Sequence, residues 1–252
     1  MDLGIENKVA LITGASKNLG KAICRELAKE GAIIIAVSRD KNALHELISI
    51  LPGEYKKHFA ISLDLLDNSG VDTLLNKLAL EKIIPDIVVH NLGGSLQIKN
   101  PFSLVGNWEQ VWRFNLGVAI SINNFLIPEM SSKNWGRILH VSTLSTQSNQ
   151  GYAPYISAKY ALEGYVKAVS QSISKNNVVM NAIAPGLIDI EDRYYGKLKK
   201  ENSPILEEYF VNNLPIRRMG SLNEIAILAA FMCSNHSSFM PGSIVRIDGG
   251  GR

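Results

Sequence analysis

The chain reads as an α/β protein with a doubly wound parallel sheet and helices on both faces. Short apolar runs rich in β-branched residues recur along its 252 residues, and most are followed by a stretch with apolar side chains at helical spacing. The runs are apolar on both faces, as strands covered from both sides are. Strand and helix alternate, the pattern of βαβ units with right-handed crossovers. At 46% apolar residues, one large domain over 1–252 has enough material for its core. No repeat, low-complexity tract or linker divides it.

Lys8–Thr13 is the first strand and Gly14 ends it. Asn18–Glu30 carries Leu19, Ile23 and Leu27 on one helical face, and Gly31 closes that helix. Ala32–Val37 is the second strand and Asp40–Ile50 the second helix. Phe59–Leu63 is the third strand, with Asp64 at its end, followed by a helix over Val71–Lys82. Asp86–His90 is the fourth strand. One long helix runs from about Trp108 to Met130, with Asn115 in register with its apolar stripe. A buried amide there needs a hydrogen bond, so Asn115 is expected to hold a water or a backbone group. Arg137–Val141 is the fifth strand, with Ser142 at its carboxyl end, where binding and catalytic groups collect in such sheets. The helix containing Tyr155 follows, packing through Leu162, Val166, Val169 and Ile173. Val178–Ala184 is the sixth strand, ended by Pro185 and Gly186. Residues 187–215 read as a polar, irregular excursion, a substrate lid. Asn223–Cys233 is helical and Ser243–Ile247 is the last strand.

Composition excludes several classes. The net charge of +3 is too mild and too dispersed for nucleic acid. No apolar run approaches a membrane span, and the N-terminus lacks a basic region followed by an apolar stretch, so a soluble cytoplasmic protein is expected. Cys24 and Cys233 are expected as buried small apolar residues. The histidines are scattered without carboxylate or cysteine partners, so no metal is expected.

Tyr155 and Lys159 stand four apart, one turn from each other on one helical face. Alone, the pair describes an ordinary helix surface. An ammonium beside a phenol, however, favours the phenolate and tunes the tyrosine toward proton transfer near neutral pH. The loop from Thr13 to Gly20 places glycines between a strand and a helix, where backbone N–H groups can approach a phosphate. Its spacing is neither G-x-G-x-x-G nor a P-loop, and Ala22 follows Lys21 where a P-loop has Ser or Thr.

Together these residues resemble the short-chain dehydrogenase/reductase family, in its 3-oxoacyl-[acyl-carrier-protein] reductase-like branch, almost end to end. The family's T-G-x-x-x-G-x-G is matched by Thr13–Gly20, with Asn18, which tolerates positive φ, at the middle glycine. Asp64 matches the aspartate after the third strand, and His90-Asn91-Leu92-Gly93 matches N-N-A-G with two replacements. Asn115 matches the helical asparagine, and Ser142, thirteen residues before Tyr155, matches the catalytic serine. Tyr155 and Lys159 match Y-x-x-x-K, and Pro185-Gly186 matches P-G.

The resemblance implies a Rossmann-type seven-stranded sheet and hydride transfer between a nicotinamide and a carbonyl or secondary alcohol carbon. It implies Asn115, Ser142, Tyr155 and Lys159 as catalytic residues. Tyr155 would be the general acid/base, Ser142 a hydrogen-bond donor to the substrate oxygen, and Lys159 the tuner of Tyr155 and holder of the ribose. Asn115 would place a water that resupplies protons. For the cofactor it implies Gly14, Ser16, Lys17, Asn18, Leu19, Gly20, Ser38, Arg39, Asp64, Leu65, Asn91, Gly93, Pro185, Gly186 and Ile188, beside Tyr155 and Lys159. The long helices around Asn115 and Tyr155 would pack against partner subunits in a homotetramer.

The end of the second strand, Val37-Ser38-Arg39, selects the cofactor. An acidic residue there holds the ribose 2′-hydroxyl of NAD. Ser38 offers no charge to repel a 2′-phosphate and Arg39 offers a fork to hold one, with Lys17 within reach. NADP(H) is expected over NAD(H), and Asp40 is read as a helix cap. Substrate readings stay open between a 3-oxoacyl-carrier reductase and a sugar or sugar-nucleotide dehydrogenase or reductase in surface-glycan biosynthesis. A non-catalytic NADP(H) sensor is the outlying reading. Relatives acting on the carrier often have an arginine to dock it where this chain has Ser174-Lys175-Asn176-Asn177. The lid's Arg193, Tyr194 and lysines would suit a polar or anionic small molecule.

Overall fold

The computed structural model describes residues 1–53 and 58–251. Seven strands form one sheet in the order β3-β2-β1-β4-β5-β6-β7, and every neighbouring pair is parallel. They are β1 (Val9–Thr13), β2 (Ile33–Ser38), β3 (Phe59–Ser62), β4 (Ile87–His90), β5 (Gly136–Val141), β6 (Val178–Pro185) and β7 (Ile244–Ile247). The strand order reverses direction beside β1, the switch point where open α/β sheets place their ligands.

Two apolar layers sandwich the sheet. On one face Ile23 and Leu27 of α1 (Asn18–Lys29), Leu44 and Leu47 of α2 (Lys41–Ser49) and Ala226 and Ala229 of α10 (Leu222–Met232) pack on Ile12, Ile34 and Val89. On the other, Leu74 and Leu78 of α3 (Gly70–Leu80), Ile122 and Leu126 of α5 (Val118–Ser132) and Leu162 and Val166 of α7 (Ala153–Ile173) pack on Leu11, Val88 and Ile138. Each fully buried aliphatic chain contributes on the order of 1.5–3 kcal/mol. Cys24 and Cys233 lie in the first layer as buried apolar residues.

Local signals act where the sequence places them. Asp40 caps α2, its Oδ1 accepting from the Ala43 N–H at 3.0 Å. Ser221 and Glu224 form a reciprocal capping box on α10. Gly31 turns the chain after α1 at φ 85°. Among the described residues no helix is long and apolar enough to cross a membrane.

Two expectations are corrected. The helix expected in one piece over 108–130 is α4 (Val105–Trp112), a π-helical turn over Arg113–Gly117, and α5. Single π turns gather at functional sites, and this one carries Asn115. The 187–215 excursion is not irregular. It holds α8 (Tyr194–Lys200) and α9 (Pro204–Asn213), which share a small core of Leu198, Leu206, Phe210, Leu214 and Met219. These apolar residues lie between charged ones, which hides the helical stripe from a reading by polarity.

Candidate active site

All expected site residues lie along the carboxyl edge of the sheet or on the helices that lead from it. Between β1 and α1 the loop turns back tightly at Gly14, φ 64°, and again at Asn18, φ 47°. Asn18 thus adopts the left-handed backbone otherwise suited to glycine. Gly20 has no room for a side chain: a Cβ there would lie 2.2 Å from the Gly14 oxygen. No side chain caps α1 at Lys17, so the first N–H groups of the helix are free to face an anion. Ser16 lies in this loop, while Leu19 packs beneath it in the core.

Thr13 and Asn91 brace the loop from below. The Thr13 hydroxyl accepts from the N–H groups of Asn91 at 3.2 Å and Leu92 at 3.1 Å. Asn91 Nδ2 donates to the Thr13 oxygen at 3.3 Å and the Gly14 oxygen at 3.0 Å. Both N–H bonds of the Asn91 amide therefore hold the glycine loop to β4. Leu65, expected beside the cofactor, buries its side chain in the core, so only its backbone borders the site.

At the end of β2 the Ser38 hydroxyl accepts from the Asp40 N–H at 3.2 Å. The Arg39 side chain is 76% exposed, with Nη1 3.4 Å from Asp64 Oδ2. The corner offers an exposed guanidinium and no carboxylate in the position that selects NAD. Beyond β6, Pro185 and Gly186 turn against β7, where the Gly186 N–H donates to the Ile247 oxygen at 3.0 Å. Ile188 bridges to Gly220 at the start of the 187–215 segment.

Lys159 is 3% exposed. Its Nζ donates to the Val141 oxygen at 2.7 Å and stands 5.8 Å from the centre of the Tyr155 ring. Burial pulls its pKa down to about 8, while the Glu163 carboxylate opposes that fall. Tyr155 departs from expectation. Burial raises its pKa, and the opposing pulls come from the Thr143 hydroxyl and the Arg193 charge rather than from Lys159. The desolvation of a phenolate outweighs these interactions, so Tyr155 carries its proton at neutral pH.

The hydroxyl of Ser142, the expected donor, is engaged by a neighbouring carboxylate. Ser142 is 4% exposed and its hydroxyl donates to Glu163 Oε1 at 2.5 Å. Successive side chains leave a strand on opposite sides, and it is the Thr143 hydroxyl, not that of Ser142, that opposes the burial-driven rise of the Tyr155 pKa.

Asn115 has both amide groups engaged. Nδ2 donates to the oxygens of Gly94 and Val111, each at 2.8 Å, and Oδ1 accepts from the Gly94 N–H at 3.0 Å. Of the two expected partners it takes the backbone group, fixing the strand β4 loop. A Cβ on Gly93 would lie 2.7 Å from Asn115 Oδ1 and 3.2 Å from Lys159 Nζ, so this loop passes close over both.

Behind Lys159 lies a polar cluster that was not foreseen from the sequence. His90 and His140 stack with ring centres 4.6 Å apart. His90 Nε2 and Asn123 Oδ1 are hydrogen-bonded at 2.8 Å, and Asn123 Nδ2 donates to the Tyr165 hydroxyl at 3.1 Å. Burial pushes His90 down to about 4 and His140 well below its ordinary value, so both rings are neutral. His90 thus faces the α5 and α7 layer rather than the nicotinamide side.

Similarity to known proteins agrees with this geometry. The family model described as Enoyl-(Acyl carrier protein) reductase, adh_short_C2, matches residues 14–251. The chain is 27% identical to 3-oxoacyl-[acyl-carrier-protein] reductase FabG of Pseudomonas aeruginosa over 249 residues, covering 98% of both chains. It is equally 27% identical to the Escherichia coli protein of the same name over 254 residues, again covering 98% of both. Among solved structures, L-sorbose reductase from Gluconobacter frateurii, complexed with NADPH and L-sorbose, superposes with a TM-score of 0.90 at 30% identity, covering 100% of this chain and 98% of that one. With the parallel seven-stranded sheet, the glycine loop at its switch point and Tyr155 beside the buried Lys159, these likenesses establish that the chain is an NAD(P)-dependent oxidoreductase of the short-chain dehydrogenase/reductase family.

Proposed function

We propose that the enzyme reduces the ketone of a neutral, polyhydroxylated small molecule with NADPH, using Tyr155 as general acid and Thr143 as the second donor to the carbonyl oxygen. The observation that carries this reading is the grouping of half-buried Tyr155 and Thr143 with the buried Lys159 at the carboxyl edge of the sheet, beside the glycine loop.

The residues fit a phosphorylated dinucleotide. The uncapped start of α1, reached through a loop in which a Cβ at Gly20 would collide with the backbone, suits a pyrophosphate. Arg39, largely exposed and touching Asp64 only at 3.4 Å, can turn its fork to a 2′-phosphate. When bound, the reduced nicotinamide supplies the hydride. Tyr155 Oη gives its proton to the substrate oxygen, and its raised pKa keeps that proton in place until needed. Thr143 Oγ1 donates a hydrogen bond to the same oxygen as charge develops. Lys159 supplies a fixed positive charge one turn along α7 and orients the ribose, and Asn115 fixes the loop that lies over it.

The lid favours a neutral substrate. Lys199 pairs with Asp189 and Lys200 with Glu191, so two of its three lysines are spent on neighbouring acids. Tyr194, Tyr195 and Tyr209 form a ring cluster beside them. This removes much of the charge that would recognise an anion. The likeness to a ketose reductase, at 30% identity against 27% for the carrier-protein reductases, points the same way. The test is NADPH oxidation by purified enzyme with ketoses, with phosphorylated or carboxylated ketones and with 3-oxoacyl thioesters. Turnover confined to the thioesters would refute the substrate class.

We also propose a homotetramer. Phe102, Leu104, Val105, Trp112 and Phe125 stand exposed on and just before α4 and α5, apolar side chains that partner subunits would cover. A monomer mass by light scattering at micromolar concentration would refute it.

A further inference from the structure

Glu163 has no part in the chemistry above, yet it stands at its centre. It lies on α7 one turn past Lys159 and two past Tyr155, so the three share a face. Its Oε1 accepts from the Ser142 hydroxyl at 2.5 Å and from the Thr146 hydroxyl at 2.9 Å. These two residues bracket Thr143, one on each side. Both are 4% exposed, so without the carboxylate their hydroxyls lose an acceptor that water is not placed to replace. Within the bracket the segment is bound to itself: the single Thr146 hydroxyl proton is shared between Glu163 Oε1 and the Thr143 oxygen, each 2.9 Å away, and the Ser145 N–H donates to Thr143 Oγ1 at 3.2 Å. The segment 142–146 is thus a short rigid turn fastened to α7 at both ends by one oxygen.

We propose that Glu163 is a positioning residue that, through Ser142 and Thr146, sets the Thr143 hydroxyl against Tyr155. The proposal rests on the reading of Thr143 as the donor to the substrate oxygen. Glu163 also acts on Lys159, whose other titratable neighbours are Tyr155 on the same helix and the neutral His140 on β5. Its negative charge opposes the loss of the Lys159 proton in the buried site.

Three variants separate geometry from charge. Glu163→Leu removes both, Glu163→Gln keeps an oxygen able to accept two bonds but loses the charge, and Ser142→Ala with Thr146→Val removes the tethers and keeps the charge. Glu163→Leu is expected to lower kcat at least ~10-fold, as small misplacements of reacting groups do, with KM for NADPH within about threefold of the unaltered enzyme. Glu163→Gln should recover most of that kcat while its alkaline pH limb moves to lower pH. The double variant should lose kcat like Glu163→Leu with the limb unmoved, and it carries the test if Glu163→Leu does not fold. Full kcat in Glu163→Leu or in the double variant overturns the proposal. So does Glu163→Gln falling as far as Glu163→Leu with an unmoved limb, the result of a merely structural role. Thr143→Val distinguishes the two levels: full turnover there sinks the reading of Thr143 itself, whereas its loss beside a fully active Glu163→Leu sinks the clamp alone.

Discussion

Replacing Thr143 by valine keeps the β-branch and nearly the volume of the side chain and deletes its hydroxyl. In the structure that hydroxyl reaches Tyr155 and accepts from the Ser145 N–H at 3.2 Å, so the change removes one donor to the substrate oxygen and leaves the Tyr155 phenol as the other. Loss of a single donor to a developing oxyanion costs ~10²–10³ in kcat. With the phenol still in place the low end applies, ~10²-fold, or about 2.7 kcal/mol of transition-state stabilisation. Ser142→Ala is the control. Its hydroxyl bonds the Glu163 carboxylate at 2.5 Å, a bond to a charged group contributing on the order of 1.5–3 kcal/mol to stability. That variant should melt earlier and lose less than ~10-fold in kcat, since Thr146 still tethers the turn. The assay is initial NADPH oxidation at saturating ketone, with cofactor affinity followed by nicotinamide fluorescence and stability by thermal unfolding. A Thr143→Val enzyme with normal kcat beside a Ser142→Ala enzyme down ~10²-fold would restore the serine and refute the reasoning from strand alternation.

Tyr155→Phe keeps the ring and removes the proton. Turnover should fall at least ~10²-fold with cofactor still bound, and near-normal turnover would remove Tyr155 from the mechanism. Ser38→Asp with Arg39→Leu should shift the ratio of kcat/KM from NADPH toward NADH, because a carboxylate then meets the 2′-position and the guanidinium is gone; equal or better use of NADH by the unaltered enzyme would show the corner misread. The buried histidines set an acid limit on stability. His90 sits at about 4 when folded against an ordinary 6.5, so between those values the unfolded chain binds more protons and stability falls as pH drops, by up to about 3 kcal/mol from this group. His140 acts in the same direction. His90→Asn should flatten part of that slope in urea unfolding between pH 7.5 and 4.5 (about one pH unit beyond the ordinary value at the upper end), and an unchanged slope would remove His90 as its source.

The sequence by itself determined what depends on local backbone chemistry and on spacing within one element. Alternation of apolar runs and helical stripes specifies the parallel sheet, because a strand buried on both faces can have no polar side. Gly14, Asn18, Gly20 and the cap at Asp40 were legible because positive φ and capping restrict the residue types that fit. Tyr155 and Lys159 share a face by helical period alone. What the tertiary structure decided are pairings between elements. Ser142 and Thr143 offer the same functional group, and only the position of α7 against the end of β5 shows which hydroxyl meets Tyr155 and which meets Glu163. The direction of the Tyr155 pKa depends on how much water the packed helices exclude, which the four-residue spacing to Lys159 does not contain. Asn115 stands in a π turn with its amide bonded to Val111 in its own helix and to Gly94 in the loop after β4, and the second partner, far off in sequence, is invisible to local reading. The stack of His90 on His140 arises because β4 and β5 pair those two residues directly, so a neutral imidazole pair occupies a place that neither strand, read alone, marks as polar.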